Sequence, residues 1–219
     1  MSNTTVNRSA IPVLYSERDL AKLCMSNNKI FGLLARGVPA TINTGTVDIG
    51  NLKGKYGESA IGSLLNMIAL EKLDLYTFHS IANPNDHIGE TDHIVIYKNK
   101  LILIETKTYN NFKVFKINKA GELRGRKVDQ PKSLRKLDNN NLIEKVELYH
   151  KLFPDYSVHA ITAVARAGVE TYSENGKYKV ASLDNLLQDI DYHITEAVDI
   201  PADITRDTIR FIASFCLNK

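Results

Sequence analysis

One run constrains the fold more than any other part of this chain: Glu90-Thr91-Asp92-His93-Ile94-Val95-Ile96-Tyr97-Lys98-Asn99-Lys100-Leu101-Ile102-Leu103-Ile104-Glu105-Thr106-Lys107. It reads as two strands joined by a tight polar turn. Successive side chains of a strand point to opposite faces, and here both faces are apolar. Ile94, Ile96, Leu101 and Leu103 line one face, and Val95, Tyr97, Ile102 and Ile104 line the other. Strands apolar on both sides belong inside a sheet covered by helices above and below. At the open end of the hairpin stand Asp92, Glu105 and Lys107. A two-residue turn at Asn99-Lys100 pairs Lys98 with Leu101 and sets Asp92 opposite Lys107, one step from Glu105 on the same face. Directly paired residues have Cβ atoms roughly 5 Å apart. A four-residue loop preserves that facing, whereas an odd loop would turn Asp92 away, because a slip of one residue flips every side chain.

Any one of these polar residues is explained by an ordinary Asp–Lys cross-strand pair. The whole set, projecting from a doubly buried hairpin, calls for a common partner. A metal ion engaged in phosphodiester cleavage is the partner that uses all of them.

The charge distribution points the same way. From Lys107 to Lys136 there are ten basic residues against two acidic ones, a local net charge of +8 in a chain whose total is +3, so the remainder carries −5. A basic block of this kind is the footprint of a polyanionic ligand. Lys113, Lys116, Arg124, Arg126, Lys127, Lys132 and Arg135 are the expected phosphate-contacting residues, with nucleic acid, DNA first, as the partner.

The 219 residues suffice for one domain, or for one domain with an arm. Cys24 and Cys216 have no ligand-like spacing, which argues against a disulfide framework or zinc knuckle and makes a reducing compartment the default expectation. No secretory h-region follows Met1 and no apolar run reaches membrane-spanning length, so the expectation is a cytoplasmic protein without a membrane partner. A homodimer is compatible with all of this.

Along the chain, residues 1–53 read as an N-terminal arm, with helical spacing over Glu17 to Leu34 and a Thr/Gly/Asn-rich linker over Thr41 to Leu52; residues 54–219 read as the main domain. An amphipathic helix is expected over Glu58 to Leu73, carrying Ile61, Leu64, Leu65 and Ile68. Glu58 falls on that apolar stripe; a partner in the site and a favourable helix dipole account for it equally well. Strands follow at Leu75–Ile81 and in the hairpin, then a basic hairpin around Asn118–Gly121 within Phe112 to Leu123. A long helix over Gln130 to Phe153, entered at Pro131, comes next. Strands at Ser157–Ala165 and Tyr178–Ser182 and helices at Leu183–Ile190 and Ile204–Leu217 complete the order. Helix, three strands, helix, strand is an α/β layer pattern, the αβββαβ order of the restriction-endonuclease-like core with a central mixed sheet flanked by helices.

Gly57-Glu58, Glu90-Thr91-Asp92-His93-Ile94-Val95-Ile96 and Ile104-Glu105-Thr106-Lys107, taken together, resemble the nuclease-related domain family (NERD) of the PD-(D/E)xK superfamily. The likeness covers roughly residues 54–190. A Gln-bearing helix usually follows in that family, and Gln130 fits it, although the usual Asn-Pro-x-x-Gln run reads Val128-Asp129-Gln130-Pro131 here. Asn110-Asn111-Phe112 stands where a Trp/Gly pair is expected.

The resemblance implies a Mg²⁺-dependent deoxyribonuclease, with Mn²⁺ as a substitute. Asp92, Glu105 and the Thr106 carbonyl would hold the ion, which prefers oxygen ligands and keeps several waters. Lys107 would position the attacking water and stabilise the transition state. Glu58 would bind a second ion or a metal-bound water, and Gln130 would orient the nucleophile or contact phosphate. His93 lies on the opposite face by parity and is expected to be structural. A non-catalytic nucleic-acid-binding or inhibitory protein on the same fold is the alternative.

Overall fold

The computed structural model describes residues 49–216 apart from 73, 131, 140 and 175; the expected arm helix Glu17 to Leu34 lies outside the described residues. Helix α1 spans Ile49–Glu71. It begins inside the stretch expected to be arm and linker, well before Glu58. Strands β1 (Leu75–Ala82), β2 (Glu90–Tyr97) and β3 (Lys100–Lys107) follow, then β4 (Phe112–Ile117), β5 (Leu123–Lys127) and β6 (Arg135–Lys136). Helix α2 spans Leu142–Leu152. The chain continues through β7 (Ser157–Val164), β8 (Glu170–Ser173) and β9 (Tyr178–Ser182) to α3 (Leu186–Thr195) and α4 (Ala202–Ser214).

Five strands form the central sheet in the order β1-β2-β3-β7-β9; four form a second sheet in the order β6-β5-β4-β8. The β1-β2-β3 pairings are antiparallel, whereas β3-β7 and β7-β9 are parallel. The result is the mixed α/β architecture expected, a mixed sheet flanked by helices, with β4, β5 and β6 of the second sheet inserted between β3 and α2 and β8 added after β7.

The alternation along β2 and β3 sorts their side chains into two cores. Val95, Ile102 and Ile104 pack with Ile61, Leu65 and Ile68 of α1 and with Leu186 and Ile190 of α3. Ile94, Ile96, Leu101 and Leu103 pack with Phe115 and Ile117 of the second sheet, Val146 and Tyr149 of α2 and Ile212 of α4. Every residue of β3 is buried, as strands covered on both faces must be.

Two expectations about this region need correction. The hairpin turn is Lys98-Asn99 rather than Asn99-Lys100: Tyr97 pairs with Lys100 and His93 with Ile104. Asp92 therefore stands opposite Glu105, not Lys107, although the parity is unchanged and the acids still share a face. Tertiary contacts choose this register. Asn99 N–H donates to Val198 O at 3.1 Å, Asn99 Oδ1 accepts Val198 N–H at 2.9 Å, and Asn99 O accepts Ser157 N–H at 2.8 Å.

The long helix over Gln130 to Phe153 is not formed. Gln130 closes the turn after β5, Arg135-Lys136 adds a short edge strand to β5, and the helix starts at Leu142 behind Asn141, which is left-handed at φ 54°. Leu134 and Leu137 imitate helical spacing, but Leu134 is exposed. Leu137 instead tucks over Gly125, where a Cβ would come within 2.6 Å of it. Proline after Gln130 and the Asn139–Asn141 run also disfavour a continuous helix.

Candidate active site at the end of the central hairpin

The β2–β3 ladder stops at His93–Ile104, and the site is built where the two strands part. Beyond that pair, the Thr106 N–H donates to Asp92 Oδ2 at 2.7 Å. A side chain thus replaces the missing strand neighbour, and a backbone donor that would otherwise be buried without a partner is satisfied. Because a strand residue presents its N–H and C=O on the same edge, the Thr106 carbonyl turns toward β2 as well.

Glu105 is fully buried on the same face as Asp92. Its partner comes from α2: Lys145 Nζ lies 2.5 Å from Glu105 Oε1, with side-chain exposures of 1% for the lysine and 0% for the glutamate. The same ammonium donates to the carbonyl of Glu90, beyond the point where β2 leaves the β3 ladder. Lys145 was not among the residues expected from the sequence. It sits among Leu142, Val146 and Tyr149, the buried stripe of α2, and a charged residue on an apolar stripe is the signal that singled out Glu58.

The electrostatics are those of a dry site. Burial raises the proton affinity of Asp92, against the Thr106 hydrogen bond and the charges of Lys145 and Lys107. Burial, reinforced by Asp92, raises that of Glu105 against Lys145 and Lys107. Lys107 is buried and lowered by desolvation, while Glu105, Asp138 and Asp92 pull it back up. Asp138 is a further acid that the sequence reading did not select. The segment carrying it is pinned beside the site: Tyr109 Oη donates to Asp138 O at 2.8 Å, and Thr162 Oγ1, on the β7 residue paired with Glu105, donates to Asn139 Oδ1 at 2.8 Å.

Thr106 is also held from the α1 side. Its hydroxyl lies 3.2 Å from His93 Nε2, His93 Nδ1 lies 2.8 Å from His79 Nδ1, and His79 Nε2 lies 2.9 Å from Asn66 Oδ1 on α1. With Asn66 Oδ1 accepting, His79 carries its proton on Nε2, His93 on Nδ1, and the threonine hydroxyl donates. Both imidazoles are thereby neutral, and burial lowers the pKa of each, His79 to about 4. His93 is structural, as its parity implied.

Gly57 fixes how closely α1 approaches. A Cβ there would lie 2.5 Å from Thr108 Cγ2 and 3.3 Å from Thr106 Cγ2. This contact brings the α1 backbone at half-buried Glu58 close to the end of β3, on the sheet face that α1 covers. Asp92, Glu105, Thr106 and Lys107 are thus gathered at one strand end, with Glu58 at that end on the α1 side. Gln130 lies in the turn after β5, its Oε1 accepting from Arg135 Nη2.

The basic block forms the second sheet and its loops. Lys113 is exposed. Lys116 pairs with Glu174 at 2.8 Å, Arg124 with Glu122 at 3.5 Å, and Lys136 with Glu122 at 3.2 Å. Lys127 lies over the Phe112 ring, Arg135 binds Gln130, and Lys132 is exposed. Arg126 is half-buried on β5 opposite Val114. Part of the local +8 is therefore neutralised, including by Glu174 from outside the block.

The oxygen donors fit a hard divalent cation: two carboxylates and a carbonyl converge, and water and phosphate would complete the shell. Among the described residues, no group of three or more His, Cys, Asp or Glu side chains is placed to hold a metal ion, so the two carboxylates would need the carbonyl, water and phosphate as further ligands. No described helix is long and apolar enough to cross a membrane.

Compared with known protein families, residues 53–165, just over half of the chain, match the model of the nuclease-related domain. No curated protein matches, and no solved structure matches.

Proposed function

The chain belongs to the nuclease-related domain family, and on that premise we propose that it is a metal-dependent nuclease that hydrolyses phosphodiester bonds, with DNA as the substrate. The observation that carries the proposal is the convergence of Asp92, Glu105 and Lys107 at the parting of β2 and β3. Asp92, Glu105 and the Thr106 carbonyl would hold Mg²⁺, or Mn²⁺ in its place. Such an ion lowers the pKa of bound water and neutralises charge that develops on phosphate.

The protein's own groups do the rest. The Thr106 N–H fixes one Asp92 oxygen and leaves the other free to serve as a ligand. Lys107, poor in solvent and flanked by carboxylates, supplies a preorganised positive charge for the phosphate as it becomes more anionic. Glu58 orients water at the α1 side of the strand end. Lys113 and Lys132 draw in the polyanion, with Lys116, Arg124, Arg126, Lys127 and Arg135 exchanging their present partners for phosphate. Gln130 contacts phosphate from the turn after β5.

The test is incubation of the full chain with circular single-stranded DNA, circular duplex DNA, linear duplex and RNA in Mg²⁺ or Mn²⁺, beside Asp92→Ala. Cleavage by wild type alone supports the proposal. No cleavage of any substrate with either ion refutes it. That result would favour binding without turnover, a reading to which one observation lends weight: Glu105 already has a cationic partner in Lys145.

A further inference from the structure

The ion pair between Lys145 and Glu105 is the most deeply buried charge interaction among the described residues, and the catalytic reading alone gives it no task. Its surroundings are specific. Lys145 reaches from α2 into the gap where β2 leaves β3, bonding Glu105 Oε1 at 2.5 Å and the Glu90 carbonyl. The site thus contains two carboxylates, Asp92 and Glu105, and two ammonium groups, Lys145 and Lys107. Lys145 and Lys107 offset these two carboxylates with no divalent ion present, and Asp138 acts on Lys107 as well. Glu105, fully buried, and Asp92, half-buried, face each other across parted strands and would otherwise repel in a medium that screens poorly.

We propose that Lys145 is the resident counter-cation of the carboxylate pair: it holds Glu105 and the parted strands in place before a divalent ion arrives, and it yields the Glu105 oxygen to that ion. This deepens the nuclease reading, on which it rests for the identity of the ion. It makes Lys145 a positioning residue, acting through Glu105. It also makes ion entry a competition. A divalent cation entering a site whose two carboxylates already have two ammonium groups beside them adds positive charge, and a phosphate diester is a ligand that offsets it. The centre therefore takes up its ion most readily together with nucleic acid, and by linkage each tightens the other by the same factor.

The test uses the thermal stability of the full chain at pH 8.5, in EDTA and in saturating Ca²⁺. Removing one partner of a buried ion pair is strongly destabilising, so Lys145→Met should melt about 10 °C below wild type in EDTA. Ca²⁺ should restore most of that loss while raising wild type by only about 2–3 °C, because in wild type the ion must displace an ammonium. Lys145→Gln, which keeps a donor but no charge, should show the same enlarged response to Ca²⁺. Adding Glu105→Gln to Lys145→Met should abolish it. A purely architectural lysine would give variants whose shift in Ca²⁺ equals that of wild type, and this result would overturn the proposal. So would a Lys145→Met chain that stays unfolded in Ca²⁺, or a response that survives Glu105→Gln. Cleavage measured in parallel separates the two readings. Equal Ca²⁺ shifts with active wild type overturn the role of Lys145 alone. An enlarged shift in the variants with no cleavage by wild type overturns the nuclease reading alone.

Discussion

The end of the central hairpin and the face of the second sheet use the same kinds of charged side chain to different effect. At the hairpin, Glu105 and Lys145 meet with 0% and 1% exposure. On the second sheet, Lys116 and Glu174 meet at 2.8 Å with 43% and 36% exposure. An exposed pair contributes about 0–1 kcal/mol and is weakened by salt. In the buried pair, loss of either partner strands a charge and costs about 3–5 kcal/mol. Burial therefore turns the hairpin charges into a fixed device, while those of the second sheet stay exchangeable and can trade Glu174 or Glu122 for a phosphate. On the proposed function, the first region serves the chemistry and the second reversible contact with phosphate.

The largest expected effect tests the fixed device. Asp92→Ala removes a ligand carboxylate together with the acceptor for the Thr106 N–H. Calorimetric titration with Mn²⁺ should show no binding at the site, and cleavage should vanish with it. Retained Mn²⁺ binding at wild-type affinity would break the assignment.

Lys107→Ala comes next. Loss of one preorganised charge typically slows the chemical step on the order of 100- to 1000-fold, or about 3–4 kcal/mol. Affinity should stay nearly intact if, as proposed, the second sheet supplies most phosphate contacts. Single-turnover cleavage beside equilibrium binding in Ca²⁺ measures both. A rate within about threefold of wild type would remove Lys107 from the mechanism.

A smaller effect concerns the histidine chain behind Thr106. The folded-state pKa of His79 lies near 4, below the ordinary 6.5. The unfolded chain binds that proton first, so stability is present in full above about pH 6.5 and is lost as pH falls toward 4. About 2 kcal/mol should disappear by pH 5 from His79 alone. Denaturant unfolding at pH 7.5 and 5.0 reads it, and His79→Gln should flatten the difference. A slope unaltered by that substitution would place the sensitive group elsewhere.

The smallest effect separates residues within the second sheet. Each phosphate contact adds about 0.9 to the log–log salt slope on duplex DNA. Lys113→Ala should lower that slope by about one contact. Lys116→Ala should lower it by less, since Glu174 already neutralises that ammonium. Equal changes would mean that Glu174 lets go completely on binding. No change for either would remove this sheet from the interface.

Much of the hairpin was legible from alternation alone. Asp92, Glu105 and Lys107 share a face because parity survives any even-numbered turn, and the two-sided apolar pattern of β2 and β3 announced their helical cover. The register was not legible, because Asn99 is seated by Val198, a contact that local turn preferences do not encode. Strand β8 escaped notice because Glu-Thr-Tyr-Ser has no apolar alternation and pairs at a largely exposed sheet edge. The helix expected from Gln130 failed because Leu134 and Leu137 matched a period by coincidence. Lys145 was legible but passed over: its place between Leu142 and Tyr149 on one helical stripe marks it as buried, and a buried lysine requires a partner.

The strand-parting that makes the site also orders its assembly in time. Asp92 and the Thr106 amide are neighbours across one short hairpin, 14 residues apart in the chain, whereas Lys145 lies 40 residues beyond Glu105, past strands β4, β5 and β6 of the second sheet. Hairpins close in microseconds, and distant segments wait for the loop between them to be organised. By this separation, the two acids should meet first and be relieved only when α2 docks. Stabilisation gained that late is absent from an early transition state, so loss of the Lys145 contact should accelerate unfolding far more than it slows folding.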